Sequence, residues 1–226
     1  MDDNVTVGIM ARALARAGLS AAYGHCSVRV DRATLLVCAP KPMGLVAPGE
    51  PGMVVPIEGK LPDRVLGEVR IHQKIYQRRP DIGAICRFIS PNVVALAAME
   101  RTPTPRHGHG AYFYPRVPYW PGTALVRTDE AAAAVAETMA GAGAVVLGVN
   151  GAVTAAERPE RALALAWYLE DAARVELAIL ACGMGQSARS LSEEEAKARA
   201  VWDGGTAERM WAYLTHGDSA LSSELC

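Results

Sequence analysis

No CxxC pair, no positively charged leader and no uninterrupted apolar run of membrane length occur in this 226-residue chain. The cysteines (Cys26, Cys38, Cys86, Cys182, Cys226) are odd in number and widely spaced. That spacing excludes a zinc ribbon or disulfide framework and reads as reduced thiols in a cytoplasmic protein. Cys226, at the very end, is expected to lack order. Met1-Asp2-Asp3 is acidic, unlike the start of a signal peptide, and the apolar stretches are too short to cross a bilayer. Lys and Arg together number 23 against 24 Asp and Glu, a net charge of −1 with no basic stripe. Nucleic acid is therefore not an expected partner. P-loop, GxGxxG and Ser-His-Asp patterns are missing, and no cofactor is expected. Lysine appears only at 41, 60, 74 and 197 among many alanines and arginines, as in a GC-rich bacterial coding sequence.

What is present suits an ordinary globular chain. Half of the residues are hydrophobic, enough for one domain over 1–226 with a helical tail from about 187. Val5, Ile9, Met10 and Leu14 give residues 4–18 helical periodicity. Strands are predicted over 27–30, 34–38, 53–57 and 82–88. Asp63 is positioned to cap a helix over 64–78, which Pro80 ends. Residues 92–99 and an Ala-rich stretch from Thr128 or Asp129 read as helices, with a Pro/Gly/His-rich loop over 103–122 between them. Segments 144–149 and 152–156 flank Asn150-Gly151, which suits a type I′ hairpin turn. Pro159 opens a long helix to about Cys182. Ser192 and Glu195 form a capping box, and a last helix contains Trp211 and Leu214. Strands mixed with helices predict a mixed sheet with helices on its faces.

Several motifs follow one another in a distinctive order. They are Gly24-His25-Cys26-Ser27-Val28-Arg29, Glu68 on its helix, Arg79-Pro80-Asp81-Ile82-Gly83-Ala84, Arg87-Phe88-Ile89-Ser90-Pro91, Asn150-Gly151, and the helix with Leu169-Glu170 and Glu176. Over roughly residues 5–185 this order resembles the class II aldolase/adducin family. The resemblance implies an α/β class II aldolase-like fold, a three-layer α/β/α sandwich with a central mixed, largely antiparallel sheet. It also implies a homo-oligomer, a tetramer in many members, with sites at subunit interfaces. Gly-His-x-Ser-x-Arg and Val117-Pro118-Tyr119-Trp120 look most like the branch that decarboxylates hydroxylated aromatic or heteroaromatic acids. Three departures matter. Family members carry His at the positions of Arg87, Ile89 and Asn150 and use them as metal ligands. Arg is permanently protonated and Ile has no lone pair, so no metal is expected at this place.

The candidate catalytic residues are Glu68, His25 and Arg87. Glu68 corresponds to the family's acid/base carboxylate, or else is a helix-surface Glu paired with Arg64 or His72. Arg87 either holds a substrate carboxylate or enolate oxygen, or fills an obsolete pocket by pairing with Glu68. His25 either carries a proton or bonds a phenol or carboxylate, or satisfies loop carbonyls. Ser27, Arg29, His107, His109, Asn150, Tyr119 and Trp120 are candidate substrate-binding residues. His107 and His109 have metal-pair spacing, yet no neighbouring Asp, Glu or Cys completes a ligand set. His72 and His216 read as packing residues. Three functions stay open. The first is a metal-independent lyase acting on a small carboxylate or carbonyl compound through an enolate-like intermediate. The second is a non-catalytic binding or scaffold protein, and the third an enzyme with a relocated metal site at His107 and His109.

Overall fold

The computed structural model describes residues 1–222, and Cys226 lies outside the described residues. Helix α1 (Asp3–Arg16) begins where the Asp2 carboxylate accepts from the backbone N–H groups of Asn4 and Val5. After it come β1 (His25–Arg29), β2 (Thr34–Val37) and β3 (Met53–Pro56), then α2 (Arg70–Arg78), β4 (Ala84–Phe88) and α3 (Pro91–Ala97). The second half supplies β5 (Tyr119–Trp120), α4 (Asp129–Met139), β6 (Ala144–Leu147), β7 (Ala152–Ala156) and the long α5 (Pro159–Ala181). Helices α6 (Glu193–Arg199), α7 (Thr206–Thr215) and α8 (Ser219–Ser222) complete it.

The seven strands form one sheet in the order β3-β2-β1-β4-β7-β6-β5. Only β5 and β6 run parallel; the other neighbours are antiparallel. Side chains alternate across such a sheet. Cys26 thus turns to α1, where its thiol donates to the Val7 carbonyl, while Ser27 turns the other way and meets His72 of α2. Helices α1, α5 and α7 pack together on one face, and α2 packs with α4 on the other. The result is the expected three-layer sandwich with a mixed, largely antiparallel sheet.

Two local expectations need correction. The stretch over 64–78 is not one helix. Arg64 sits at φ 69° and Leu66 is extended, so a single 3-10 turn, Gly67–Val69, precedes α2. Glu68 lies in that turn rather than on a helix face. β6 and β7 do pair, but four residues separate them, and of Asn150 and Gly151 only Gly151 has positive φ, 78°. A type I′ turn requires positive φ at both central residues. Close approach is the stronger reason for glycine at 151, because a Cβ there would stand 2.0 Å from the Phe88 carbonyl oxygen. Glycine lets the connection press against the end of β4.

Two polar clasps tie distant segments together. Asp218, enclosed at the end of α7, accepts from Arg12 at 2.8 Å through both Nε and Nη2 and from Arg16 at 2.9 Å. Glu170 of α5 accepts from the backbone N–H groups of Asn92 and Val93, both at 3.1 Å. It therefore caps α3, whose own Ser90 makes no side-chain cap. Among the described residues no helix is long and apolar enough to cross a membrane.

Candidate functional site

Pairing of β1 with β4 sets His25 directly opposite Arg87, and both side chains emerge on the α2 face. The 3-10 turn brings Glu68 over them. Arg87 Nη2 stands 3.4 Å from each Glu68 carboxylate oxygen, a long contact by hydrogen-bond standards. Asn150 donates its side-chain N–H to Glu68 Oε1 at 2.9 Å. Arg87 is 1% exposed, and burial pulls its pKa below the ordinary value against the opposing pull of Glu68. Beside this group opens a cleft of about 460 Å³ lined by Tyr23, His25, Lys41, Leu66, Glu68 and Arg127.

Four of the expected site residues, Glu68, Arg87, His25 and Asn150, therefore meet at one place. The others do not. Ser27 is buried behind His25. Arg29 donates to the carbonyls of Ile82, Tyr76 and Arg79 and holds α2 to the sheet. Tyr119 donates to the Ala97 carbonyl and lines a separate cavity of about 640 Å³. Trp120 packs its ring against Gly122.

Sequence reasoning passed over His72. Its Nε2 lies 2.8 Å from His25 Nδ1 and its Nδ1 lies 2.6 Å from Ser27 Oγ. It is fully buried, and that burial, with the charge of Arg87, pushes its pKa down to about 3. His25 is also driven well below its ordinary value, first by burial and then by His72 and Arg87. Both rings are therefore neutral at physiological pH. The spacing Glu68-x-x-x-His72 gave no usable signal, because the two residues stand on different elements, the 3-10 turn and α2.

His107 and His109 belong to a second cluster. The loop carrying them folds over α5, where Asp171 awaits them. His109 Nδ1 is 2.8 Å and His107 Nε2 is 3.7 Å from Asp171 Oδ2. One ligand atom from each of the three residues lies within 4.8 Å of the others. Asp171 is mostly enclosed. Burial alone would raise its pKa, but bonds from His109 and Arg174 and the charge of His107 outweigh that and lower it. Tyr168 stacks on the His109 ring with centroids 4.5 Å apart, and Trp167 meets it edge-on.

The absence of a metal-binding group, expected from the sequence, is thereby overturned. Arg87, Ile89 and Asn150 offer a buried cation, an alkyl chain and an amide whose N–H already serves Glu68, which do not fit a divalent ion. His107, His109 and Asp171 do fit one: two imidazoles and a carboxylate are the donors that zinc and similar ions take. His107 Nε2 is a buried nitrogen with no hydrogen-bond partner among the described residues. Its Nδ1 accepts the His109 backbone N–H at 3.2 Å, so the neutral ring carries its proton on Nε2. Ligation through Nε2 requires the other tautomer and loss of that backbone bond, a change that the flanking Gly108 and Gly110 permit. The missing ligand was Asp171, 62 residues beyond His109 on another element.

Comparison with known proteins agrees with this architecture. Residues 7–177 match the Class II Aldolase and Adducin N-terminal domain. The chain belongs to the class II aldolase and adducin family. It is 28% identical over 200 residues to the 3,4-dihydroxyphthalate decarboxylase of Arthrobacter keyseri, covering 78% of each chain. Among solved structures, the L-fuculose 1-phosphate aldolase of Glaciozyma antarctica superposes with a TM-score of 0.78 at 20% identity, over 98% of this chain and 90% of that one. The Thermus thermophilus l-fuculose-1-phosphate aldolase gives 0.67 at 27% identity, over 80% and 96%. A putative aldolase/epimerase/decarboxylase from Escherichia coli gives 0.72 at 19%, over 86% and 96%. The family thus includes carbon–carbon lyases, and this chain has their fold.

Proposed function

We propose that this protein is a cation-dependent lyase of the class II aldolase kind, with a divalent ion held by His107, His109 and Asp171. The convergence of those three ligand atoms within 4.8 Å carries the reading. It replaces the metal-free protein expected from the sequence. When bound, such an ion would fasten the 103–122 loop to α5. Its ligands stand on the α5 side of the sheet and do not line the Glu68 cleft on the α2 side, so turnover depends on it through the fold.

The protein's own acid–base groups stand in the Glu68 cleft, the substrate site in this proposal. Arg87 and Arg127 bring positive charge to it, so a small carboxylate or carbonyl compound is the expected occupant. The likeness to a dihydroxyphthalate decarboxylase favours a hydroxylated aromatic acid. In decarboxylation the carbon–carbon bond to the leaving carboxylate breaks, carbon dioxide departs, and the electron pair left on the ring carbon takes a proton. Glu68 is the proton carrier placed to deliver it. Asn150 and Arg87 fix its carboxyl group, and Arg87 steadies the negative charge that builds before protonation.

Tyr23 and Leu66, which line the cleft, are 74% and 41% exposed. Apolar side chains left open at a site mouth favour a homo-oligomer, a tetramer in this proposal, whose subunits meet at the cleft. The test is turnover of hydroxylated benzoates and phthalates by wild type and Glu68→Gln, with and without added zinc or manganese. The proposal expects cation-dependent release of carbon dioxide and its loss in the variant. Equal turnover by Glu68→Gln sinks the role given to that residue.

A further inference from the structure

Behind the cleft, four buried side chains form one hydrogen-bonded line. It runs from His25 Nδ1 to His72 Nε2 (2.8 Å), from His72 Nδ1 to Ser27 Oγ (2.6 Å), and on to the Tyr76 hydroxyl (3.0 Å). The Tyr76 hydroxyl also donates to the Ser27 backbone carbonyl at 3.3 Å. A carbonyl only accepts, so this last bond sets the direction of the whole line. With its proton on the carbonyl, the phenol oxygen accepts from Ser27. Ser27 Oγ accepts from His72 Nδ1–H, and His72 Nε2 accepts from His25 Nδ1–H. What remains is His25 Nε2, with a lone pair and no hydrogen.

Two observations agree with that direction. His25 Nε2 is buried and has no hydrogen-bond partner among the described residues; an unmatched lone pair costs less than an unmatched N–H. Arg87 stands opposite His25 across the strand pair, and its positive charge favours a lone pair over an N–H. Arg87 Nε and Ser90 Oγ are likewise buried without partners. A carboxylate answers the Arg87 donor but has nothing to give His25. A hydroxyl answers both, accepting from Arg87 and donating to His25. The Glu68–Arg87 contact that a ligand must open to reach them is a long one, at 3.4 Å.

We propose that the His72–Ser27–Tyr76 line fixes His25 as a hydrogen-bond acceptor, so that the cleft selects acids that carry a hydroxyl, phenolic acids above all. His72, Ser27 and Tyr76 are positioning residues that act through His25. The selection rests on the reading of the Glu68–Arg87 cleft as the substrate site.

Imidazole ¹⁵N spectra of the full chain test the direction of the line. Wild type should show His25 protonated on Nδ1 and bare on Nε2. In Tyr76→Phe the carbonyl-directed donor is gone, Ser27 is free to donate to His72 Nδ1, and the line should reverse, leaving a proton on His25 Nε2. A merely structural tyrosine would not move that tautomer. His25 protonated on Nε2 in wild type, or unchanged in Tyr76→Phe, overturns the proposal.

Calorimetry with 3,4-dihydroxybenzoate and benzoate tests the selection. The hydroxylated acid should bind at least about 10-fold tighter, and the gap should close in Tyr76→Phe. Equal affinities in wild type overturn the selection. Ring states as predicted, with neither acid bound, would show that the cleft reading has failed and has taken the selection with it.

Discussion

Lowering the pH from 7 to 5 should weaken the fold through its two buried histidines. His72 has a pKa near 3 in the folded protein against 6.5 for an exposed ring. The unfolded chain therefore binds more protons than the native one throughout that interval, and stability falls as pH falls. The contribution is complete above about 6.5 and is lost down to about 3. With roughly 1.4 kcal/mol per pH unit of mismatch, His72 alone costs about 2 kcal/mol by pH 5. His25 is shifted in the same direction and adds to the slope. Carboxylates lowered by native bonds, such as Asp218, have ordinary values near 3.8 and titrate mainly below this range. Urea unfolding at pH 7, 6 and 5, in chelator, gives the slope directly. His72→Gln should flatten it while lowering stability at pH 7. His107→Gln serves as control, because His107 is shifted the same way but is only partly buried. A midpoint constant from pH 7 to 5, or an unchanged slope in His72→Gln, would refute the neutral pair.

Other consequences follow from the clasps. Asp218→Ala leaves Arg12, buried beside it, without its carboxylate and should destabilise by about 3–5 kcal/mol, read as a lowered urea midpoint; a change under about 1 kcal/mol contradicts the enclosed ion pair. Glu170→Ala uncovers the N-terminus of α3 and should lower stability by about 1–2 kcal/mol, with faster amide exchange at Asn92 and Val93. Exchange unaltered at those two positions speaks against the cap.

The sequence legibly encoded the order of motifs, and through it the sandwich and its sheet. Local signals also served where the chemistry is local: Asp2 and Ser192 cap helices, and Pro159 opens α5. What escaped is what folding brings together. Asp171 gives no sign of ligand character among the alanines of α5, and it meets His109 only because the loop folds over that helix. Asn150-Gly151 carries a turn signal, yet the approach of β4 decides its geometry and sends the Asn150 side chain to Glu68. Glu68 was placed on a helix because periodicity does not reveal the backbone break at Arg64. His72 looked like packing since burial hides the hydrogen bonds on both of its nitrogens.

The most direct test of the central claim is the metal content of the untagged full chain after loading with zinc or manganese and dialysis, beside Asp171→Asn. One equivalent per chain in wild type, with affinity reduced at least about 10-fold in the variant, is the predicted result. No retained metal in wild type, or equal retention by Asp171→Asn, would contradict a cation held by His107, His109 and Asp171.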